Sequence, residues 1–269
     1  MKTRAITALF FVAVVLASIV LDGHLFALFF LILSICCLYE FYRIIGGTQG
    51  QPDARLGALV GGGGFALYAA YRLDYLSAQS LLLIIPLVAA VWIVPLYKKG
   101  TDKPFSDIAC TFLGMVYVML PFVSFFSLGF LSGEYDYRFP LGFMLILWGN
   151  DTGAYLIGKY FGKTRLFERI SPKKTWEGFI GGVLLAIIVS LLLAHYFPVW
   201  GIWLWIGVAG LVSIFGTFGD LVESMLKRSL QVKDSGNVLP GHGGLLDRFD
   251  GLLLAAPLVF AFLKMALPA

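Results

Sequence analysis

The sequence predicts an all-α, polytopic integral membrane protein. Hydrophobic residues make up 59% of the 269 residues and charged residues only 13%, and the mean hydropathy is +0.87. A soluble domain of this size needs far more polar surface. Long apolar stretches recur along the chain, and a hydrocarbon core about 30 Å thick is crossed by roughly 20 apolar residues of helix. These observations predict about nine transmembrane helices.

The apolar stretches can be taken in chain order. The predicted spans are residues 4–21, 25–46, 57–71, 79–97, 106–132, 139–158, 178–197, 200–219 and 251–267. The first resembles a signal peptide, but no small-residue cleavage site follows it, so we interpret it as a membrane helix. The third carries Gly61 to Gly64 without a Lys, Ser or Thr partner for phosphate, which favours close helix packing over a phosphate loop. We divide the chain into an N-terminal transmembrane region of about five helices (1–132) and a C-terminal catalytic region of about four (133–269).

The basic residues predict the orientation, because cytoplasmic loops retain Lys and Arg. With the N-terminus inside, 17 of the 20 basic residues lie on the inner side, and only Arg72, Arg138 and Lys264 lie outside. The N-terminus is therefore predicted to be cytoplasmic and the C-terminus external. The polar loops near 159–177 and 220–250 then face the cytoplasm, and we expect a cell (inner) membrane protein whose active site faces the cytosol.

Carboxylates at the ends of the last two spans predict a cation site. Asp220 and Glu223 follow the eighth span, and Asp247 and Asp250 precede the ninth, each pair at i, i+3 on one helical face. A hairpin between the spans would bring the pairs together, and facing carboxylates are the oxygen ligands that hard cations take. We favour a magnesium site on Asp220 and Asp247. The alternative is salt bridging to three nearby cations, Lys227, Arg228 and Arg248.

Two further segments have the features of phosphate sites. Lys173, Lys174 and Thr175 open the seventh span, where charge would combine with free backbone N–H groups at a helix N-terminus; the alternative is an interfacial anchor. The turn from Pro240 to Gly244 lets the backbone approach a ligand closely, and His242 within it either contacts a phosphate or caps the loop.

Together with Asn150 and Asp151 inside the sixth span, these segments predict one convergent cytoplasmic site. A carboxylate within a membrane helix is costly, which makes Asp151 a functional candidate. Metal-binding carboxylates beside an excess of cations are typical of phosphoryl or nucleotidyl transfer.

The residues from Ser224 to Asp250 follow the pattern S-x-L-K-R-x4-K-D-x-G-x2-L-P-x-H-G-G-L-x-D-R-F-D. This pattern resembles the signature of the phosphatidate cytidylyltransferases, also called CDP-diacylglycerol synthases. Asn150 and Asp151 with Ala154 and Tyr155, the segment Ser171 to Gly178, and the segment Gly219 to Ser224 are also similar to that family. These motifs cover much of the C-terminal half, whereas the N-terminal half agrees only in size and hydropathy.

The resemblance implies the condensation of CTP with phosphatidic acid, giving CDP-diacylglycerol and pyrophosphate in phospholipid biosynthesis. It places Mg²⁺ on Asp220 and Asp247 with Glu223, Asp250 or Asp151 as support, and leaves open whether a second cation such as K⁺ joins it. Asp220, Asp247, Lys227 and Arg228 are expected to be catalytic. The phosphate groups of CTP or the lipid are assigned to six cations, Lys173, Lys174, Lys227, Arg228, Lys233 and Arg248. The other expected substrate-binding residues are Asn150, Asp151, Ser171, Thr175, Ser224, His242, Gly243 and Gly244.

The expected partners are CTP, phosphatidic acid, the lipid bilayer and a second copy of the chain in a homodimer, and no nucleic acid is expected. Two other functions stay open. A CTP-dependent lipid kinase would use the same metal, nucleotide and lipid chemistry. A transporter would also place carboxylates at membrane depth, but it usually has broken helices near the midplane, and here the charges cluster at one face.

Overall fold

The structure is a computed structural model that describes residues 2–47, 50–99, 102–198, 200–236 and 243–267, with side chains described from residue 9 onward. The helices of this part of the chain are α1 (Lys2–Leu21), α2 (Gly23–Ile45), α3 (Ala54–Arg72), α4 (Ile84–Ile93), α5 (Pro104–Gly114), α6 (Leu120–Leu128), α7 (Arg138–Phe161), α8 (Trp176–Tyr196), α9 (Ile202–Ser229) and α10 (Leu246–Ala266). The 3₁₀ turns Ala78–Leu83 and Val94–Tyr97 extend α4 at both ends, and the π turn Met115–Met119 joins α5 to α6.

Every predicted span lies on one of these helical segments, so the predicted order of elements is confirmed. Within the described residues, six segments are long and apolar enough to cross a membrane. They are Gly23–Ile45, Ala78–Tyr97, Pro104–Leu128, Trp176–Tyr196, Ile202–Ser229 and Leu246–Ala266. The glycine-rich α3 and the α7 helix, which carries Asn150 and Asp151, are outside this set. The all-α polytopic class is confirmed, whereas nine crossings, the orientation and the division near residue 132 stay predictions.

The fifth span is one helical segment with a widened turn in its middle. Pro121 lacks the N–H that would bond to the carbonyl of Tyr117, so the regular i to i−4 pattern is interrupted at this point. The π turn Met115–Met119 ends two residues before Pro121, and such turns often occur at functional sites. The segment ends at Leu128 rather than at the predicted residue 132.

Small residues bring neighbouring helices into close contact. A Cβ atom added to Gly62 of α3 would lie 2.9 Å from Ile35 of α2, and one added to Gly61 would lie 2.8 Å from Met119, so the predicted packing role is confirmed for these two glycines. A Cβ on Gly64 would meet nothing within 4 Å. A Cβ on Gly153 of α7 would lie 2.6 Å from the carbonyl oxygen of Gly181 in α8. Such contacts let helix backbones approach one another, and they hold the polar ends of the C-terminal helices together.

A two-stranded antiparallel hairpin, β1 (Arg165–Phe167) and β2 (Ser171–Thr175), lies between α7 and α8. The prediction that Lys173 and Lys174 open a helix was therefore wrong, because both lie on β2. Alternate side chains of a strand point to opposite faces, and accordingly Lys173 is exposed while Lys174 is partly buried. Thr175 does begin the helix, since its hydroxyl oxygen accepts a hydrogen bond from the Gly178 N–H at 3.1 Å.

Candidate active site

A cavity of about 510 Å³ opens between α7, the β1–β2 hairpin, α8 and the end of α9. Its lining contains seven residues that the sequence predicted for the site: Asn150, Asp151, Ser171, Lys173, Lys174, Thr175 and Asp220. These residues come from three separate stretches of the chain. The predicted convergence of the 150–178 region with the acidic end of α9 is therefore confirmed.

One ion pair joins the two halves of this cavity. The Nζ of Lys174, on β2, lies 2.5 Å from Oδ2 of Asp220 on α9. The other oxygen, Oδ1, accepts a hydrogen bond from the Ser224 hydroxyl at 3.2 Å. Asp220 keeps 38% of its side chain exposed, so the pair stands at the cavity wall, where it can contact a ligand.

A second charged cluster is buried beside the first. Lys227 of α9 lies 2.9 Å from Glu223 Oε2, one helical turn earlier, and 2.6 Å from Asp247 Oδ1 on α10. Glu223 is fully buried, and Lys227 and Asp247 are 14% and 8% exposed. The predicted hairpin that brings the acidic ends of the last two helices together is therefore confirmed. The salt-bridging alternative holds for Lys227, which neutralises part of this cluster.

The second oxygen of Asp247 is held by the polar loop before α10. Its Oδ2 accepts hydrogen bonds from the Ser235 N–H at 3.0 Å and the Gly244 N–H at 2.9 Å. Gly243 has φ +83°, a backbone conformation that glycine adopts without strain. In this structure the glycine pair thus turns the chain so that an amide reaches a carboxylate. A phosphate-binding role for Gly243 and Gly244 stays a prediction, and His242 lies outside the described residues.

The crossing of α9 and α10 places further carboxylates near the cavity. A Cβ on Gly219 would collide with the carbonyl oxygen of Asp250, so the two helices touch beside Asp220. Asp250 is close enough to interact electrostatically with Asp220, Glu223 and Asp151. Like charges at this range repel each other unless protons or cations intervene.

One buried oxygen of the acidic cluster fits the presence of a cation. Oε1 of Glu223 has no hydrogen-bond partner among the described residues, and carboxylate oxygens are ligands of hard cations. Within the described residues, no three acidic, His or Cys side chains converge as a complete metal site. A Mg²⁺ ion here would therefore depend on water and substrate oxygens, which is usual for this ion.

Three of the predicted phosphate ligands lie elsewhere. Arg228, Lys233 and Arg248 are exposed, and they are not among the described residues that line the cavity. Their assignment to CTP or lipid phosphates stays a prediction.

The structure adds two polar residues that the sequence analysis missed. Glu40 of α2 is buried, and its Oε2 accepts hydrogen bonds from the Leu246 N–H at 2.9 Å and the Ser235 hydroxyl at 3.2 Å. The sequence did carry a signal for Glu40: it is the only carboxylate in the apolar span 25–46, and because burying such a group is costly, it is a candidate functional residue. Tyr117, in the π turn, has a buried hydroxyl with no hydrogen-bond partner among the described residues; its sequence context carried no such signal.

The fold and the site together define a polytopic helical membrane protein with an acidic, lysine-bearing cavity at one end of its C-terminal helices. The chain belongs to the Cytidylyltransferase family, whose pattern it matches over residues 2–266. The predicted family resemblance is thereby confirmed.

Two relatives illustrate the match. A phosphatidate cytidylyltransferase of Staphylococcus aureus (strain COL) is 42% identical over 176 residues, which cover 64% of this chain and 66% of the relative. A phosphatidate cytidylyltransferase of Bacillus subtilis (strain 168) is 36% identical over 200 residues, which cover 74% of this chain and 72% of the relative. The chain thus aligns with just under two thirds of the length of the Staphylococcus aureus protein.

Proposed function

We propose that this protein transfers the cytidylyl group of CTP to phosphatidic acid, forming CDP-diacylglycerol and releasing pyrophosphate. The observation that carries the proposal is the Lys174–Asp220 pair in the wall of the cavity, in a chain of the Cytidylyltransferase family. In this pair, the Lys174 ammonium can bind a phosphate group and the Asp220 carboxylate can bind a metal ion, and both stand at the same place in the cavity wall. The buried Lys227 cluster lies next to it on the same helix.

In the proposed reaction, an oxygen of the lipid phosphate attacks the α-phosphorus of CTP. A new P–O bond forms, the bond from the α-phosphorus to the bridging oxygen of the β-phosphate breaks, and pyrophosphate leaves with that electron pair. The lipid phosphate is already ionised at neutral pH, so the step needs no strong general base. The main barrier is repulsion between two anions, which fixed positive charge in a shielded site reduces.

The residues of the site have separable roles in this proposal. Lys174, and Lys173 beside it, would contact phosphate oxygens from the hairpin side. Lys227 would hold Glu223 and Asp247 in place and lend its charge to the leaving pyrophosphate. Mg²⁺, when bound, would neutralise charge on the triphosphate; its proposed ligands are Asp220 and Asp247, with Glu223 and Asp250 as support, and K⁺ is a candidate second ion.

The lipid substrate and the basic-residue count support a placement in the cell (inner) membrane with the cavity facing the cytoplasm. CTP would then enter from the cytosol and phosphatidic acid from the inner leaflet. The homodimer expected from the sequence is part of the same proposal.

A product assay tests the activity. Purified protein in mixed micelles, supplied with CTP labelled at the α-phosphorus, phosphatidic acid and Mg²⁺, is expected to place the label in lipid and to release pyrophosphate. Appearance of CDP with a newly phosphorylated lipid would instead identify a lipid kinase. Uptake of a solute into proteoliposomes without any covalent product would identify a transporter.

Asp220→Asn is expected to lower turnover by at least about 100-fold, because the amide loses the charge that binds a metal and pairs with Lys174. The protein should still fold, since Asp220 is 38% exposed. The assay is CDP-diacylglycerol formation across a Mg²⁺ titration.

Asp74→Asn is a matched control for Asp220→Asn. Asp74 is exposed, and its φ of 62° is one that Asn also tolerates. Near-normal turnover of Asp220→Asn, at an unchanged Mg²⁺ requirement, would show that the metal assignment is wrong.

A further inference from the structure

Glu40 joins the N-terminal helices to the loop that presents Asp247. It lies on α2, about 200 residues before its partners, and only 6% of it is exposed. Its Oε2 accepts one hydrogen bond from the Ser235 hydroxyl and one from the Leu246 N–H. The Ser235 N–H in turn donates to Asp247. The Glu40 carboxylate therefore bonds to Ser235 and Leu246, which lie on either side of the loop segment that holds the Asp247 carboxylate.

The contact with Leu246 also supplies a missing helix cap. Leu246 is the first residue of α10, and the residue before it, Leu245, has no side chain that can accept a hydrogen bond. The first N–H groups of a helix lack partners within the helix and carry partial positive charge. Glu40 provides the acceptor from a different helix, directly before Asp247.

The fit between Glu40 and the loop is tight. A Cβ on Gly236 would lie 2.5 Å from Oε1 of Glu40, and a Cβ on Gly244 would lie 2.5 Å from Oε2. The loop glycines thus leave room for this carboxylate. Its Oε1 is buried and has no hydrogen-bond partner among the described residues, so hydrogen bonding through Oε2 anchors the side chain.

We propose that Glu40 is a positioning residue: it fixes the backbone of Ser235 and Leu246, and thereby holds Asp247 in contact with Lys227. Loss of Glu40 would free both sides of the loop and the start of α10. Asp247 would then sample positions away from Lys227, and the cluster beside the cavity would lose its geometry. The kinetic consequence rests on the proposed function, whereas the structural consequence does not.

Hydrogen–deuterium exchange of the full chain in lipid nanodiscs tests the structural part. In Glu40→Ala, amides at Ser235, Gly244 and Leu246 are expected to exchange at least about tenfold faster, with other helices unchanged. Glu40→Gln should keep most of the protection, because its amide oxygen can take the place of Oε2 as acceptor. Ser34→Ala is the matched control: Ser34 is also buried on α2, but its hydroxyl bonds to Leu31 of the same helix.

Kinetics test the functional part on the same preparations. Glu40→Ala is expected to lower kcat by about 10- to 100-fold, as for residues that orient a metal ligand, with little change in KM for the lipid. Glu40→Gln should recover most of this loss, and Ser34→Ala should match the unsubstituted protein.

Three results would overturn the proposal. One is unchanged exchange of the Ser235, Gly244 and Leu246 amides in Glu40→Ala. Another is faster exchange throughout the protein, which would make Glu40 a general packing residue. The third is normal kcat in Glu40→Ala despite faster local exchange. If the unsubstituted protein makes no CDP-diacylglycerol, the proposed function fails, and the exchange experiment still decides whether Glu40 holds the loop.

Discussion

Lys227→Met is expected to lower turnover by about 100- to 1,000-fold, the effect of losing one preorganised electrostatic group in a site. The substitution keeps a long side chain but removes the only charge that the described structure places between Glu223 Oε2 and Asp247 Oδ1. Two carboxylates then face each other in a buried region. Breaking a buried ion pair by removing one partner costs about 3–5 kcal/mol, so the free energy of unfolding should fall as well.

A second variant separates folding from catalysis in this experiment. Glu223→Gln combined with Lys227→Met removes one uncompensated charge, so it should recover part of the lost thermal stability in detergent while turnover stays low. Lys103→Met, at an exposed position before α5, controls for loss of a lysine as such. Lys227→Met with near-normal turnover and melting temperature would show that the cluster matters neither for activity nor for stability.

Gly219→Ala is expected to have a large effect for a single methyl group added at the polar ends of the helices. The new Cβ would collide with the carbonyl oxygen of Asp250, a backbone atom that cannot rotate away. Overpacking of this kind costs typically about 1–3 kcal/mol. Because Asp220 and Asp250 stand at the crossing, any separation of α9 from α10 also displaces both carboxylates. Turnover should fall at least about tenfold, with a lower melting temperature.

Gly210→Ala provides the control on the same helix. A Cβ at Gly210 meets nothing within 4 Å, and alanine is the better helix former of the two. Gly210→Ala should therefore retain stability and turnover. If the two alanine variants behave alike, the close contact of α9 and α10 at Gly219 is not needed for the site.

Much of this architecture could be predicted from residue order alone. Apolar stretches of membrane-spanning length must be helical, because a helix satisfies its backbone hydrogen bonds within the segment. The i, i+3 carboxylate pairs are equally local, since they depend only on helical geometry. Even the meeting of α9 and α10 could be predicted, because a hairpin between consecutive spans brings their neighbouring ends together.

Other features of the candidate site could not be predicted from residue order. Lys173 and Lys174 were expected at a helix N-terminus, yet both lie on β2, and of the two only Lys174 pairs with Asp220. A short strand between two membrane helices has too few residues for its period to be recognised. The hydrogen-bond partners of Asp247 could not be predicted from the sequence either, because loop amides compete with cations for the same carboxylate oxygens.

The sequence by itself determined the membrane class, the order of the helices and the family, since these depend on hydrophobic length, local periodicity and a dense motif. Only the tertiary structure decided which cation neutralises which carboxylate. It also placed Glu40, from the N-terminal half where the family resemblance is unspecific, in contact with the loop beside Asp247. The physical reason is that an ion pair or a hydrogen bond requires contact within about 3 Å. Contacts between distant segments are set by how whole helices pack, which no local pattern records.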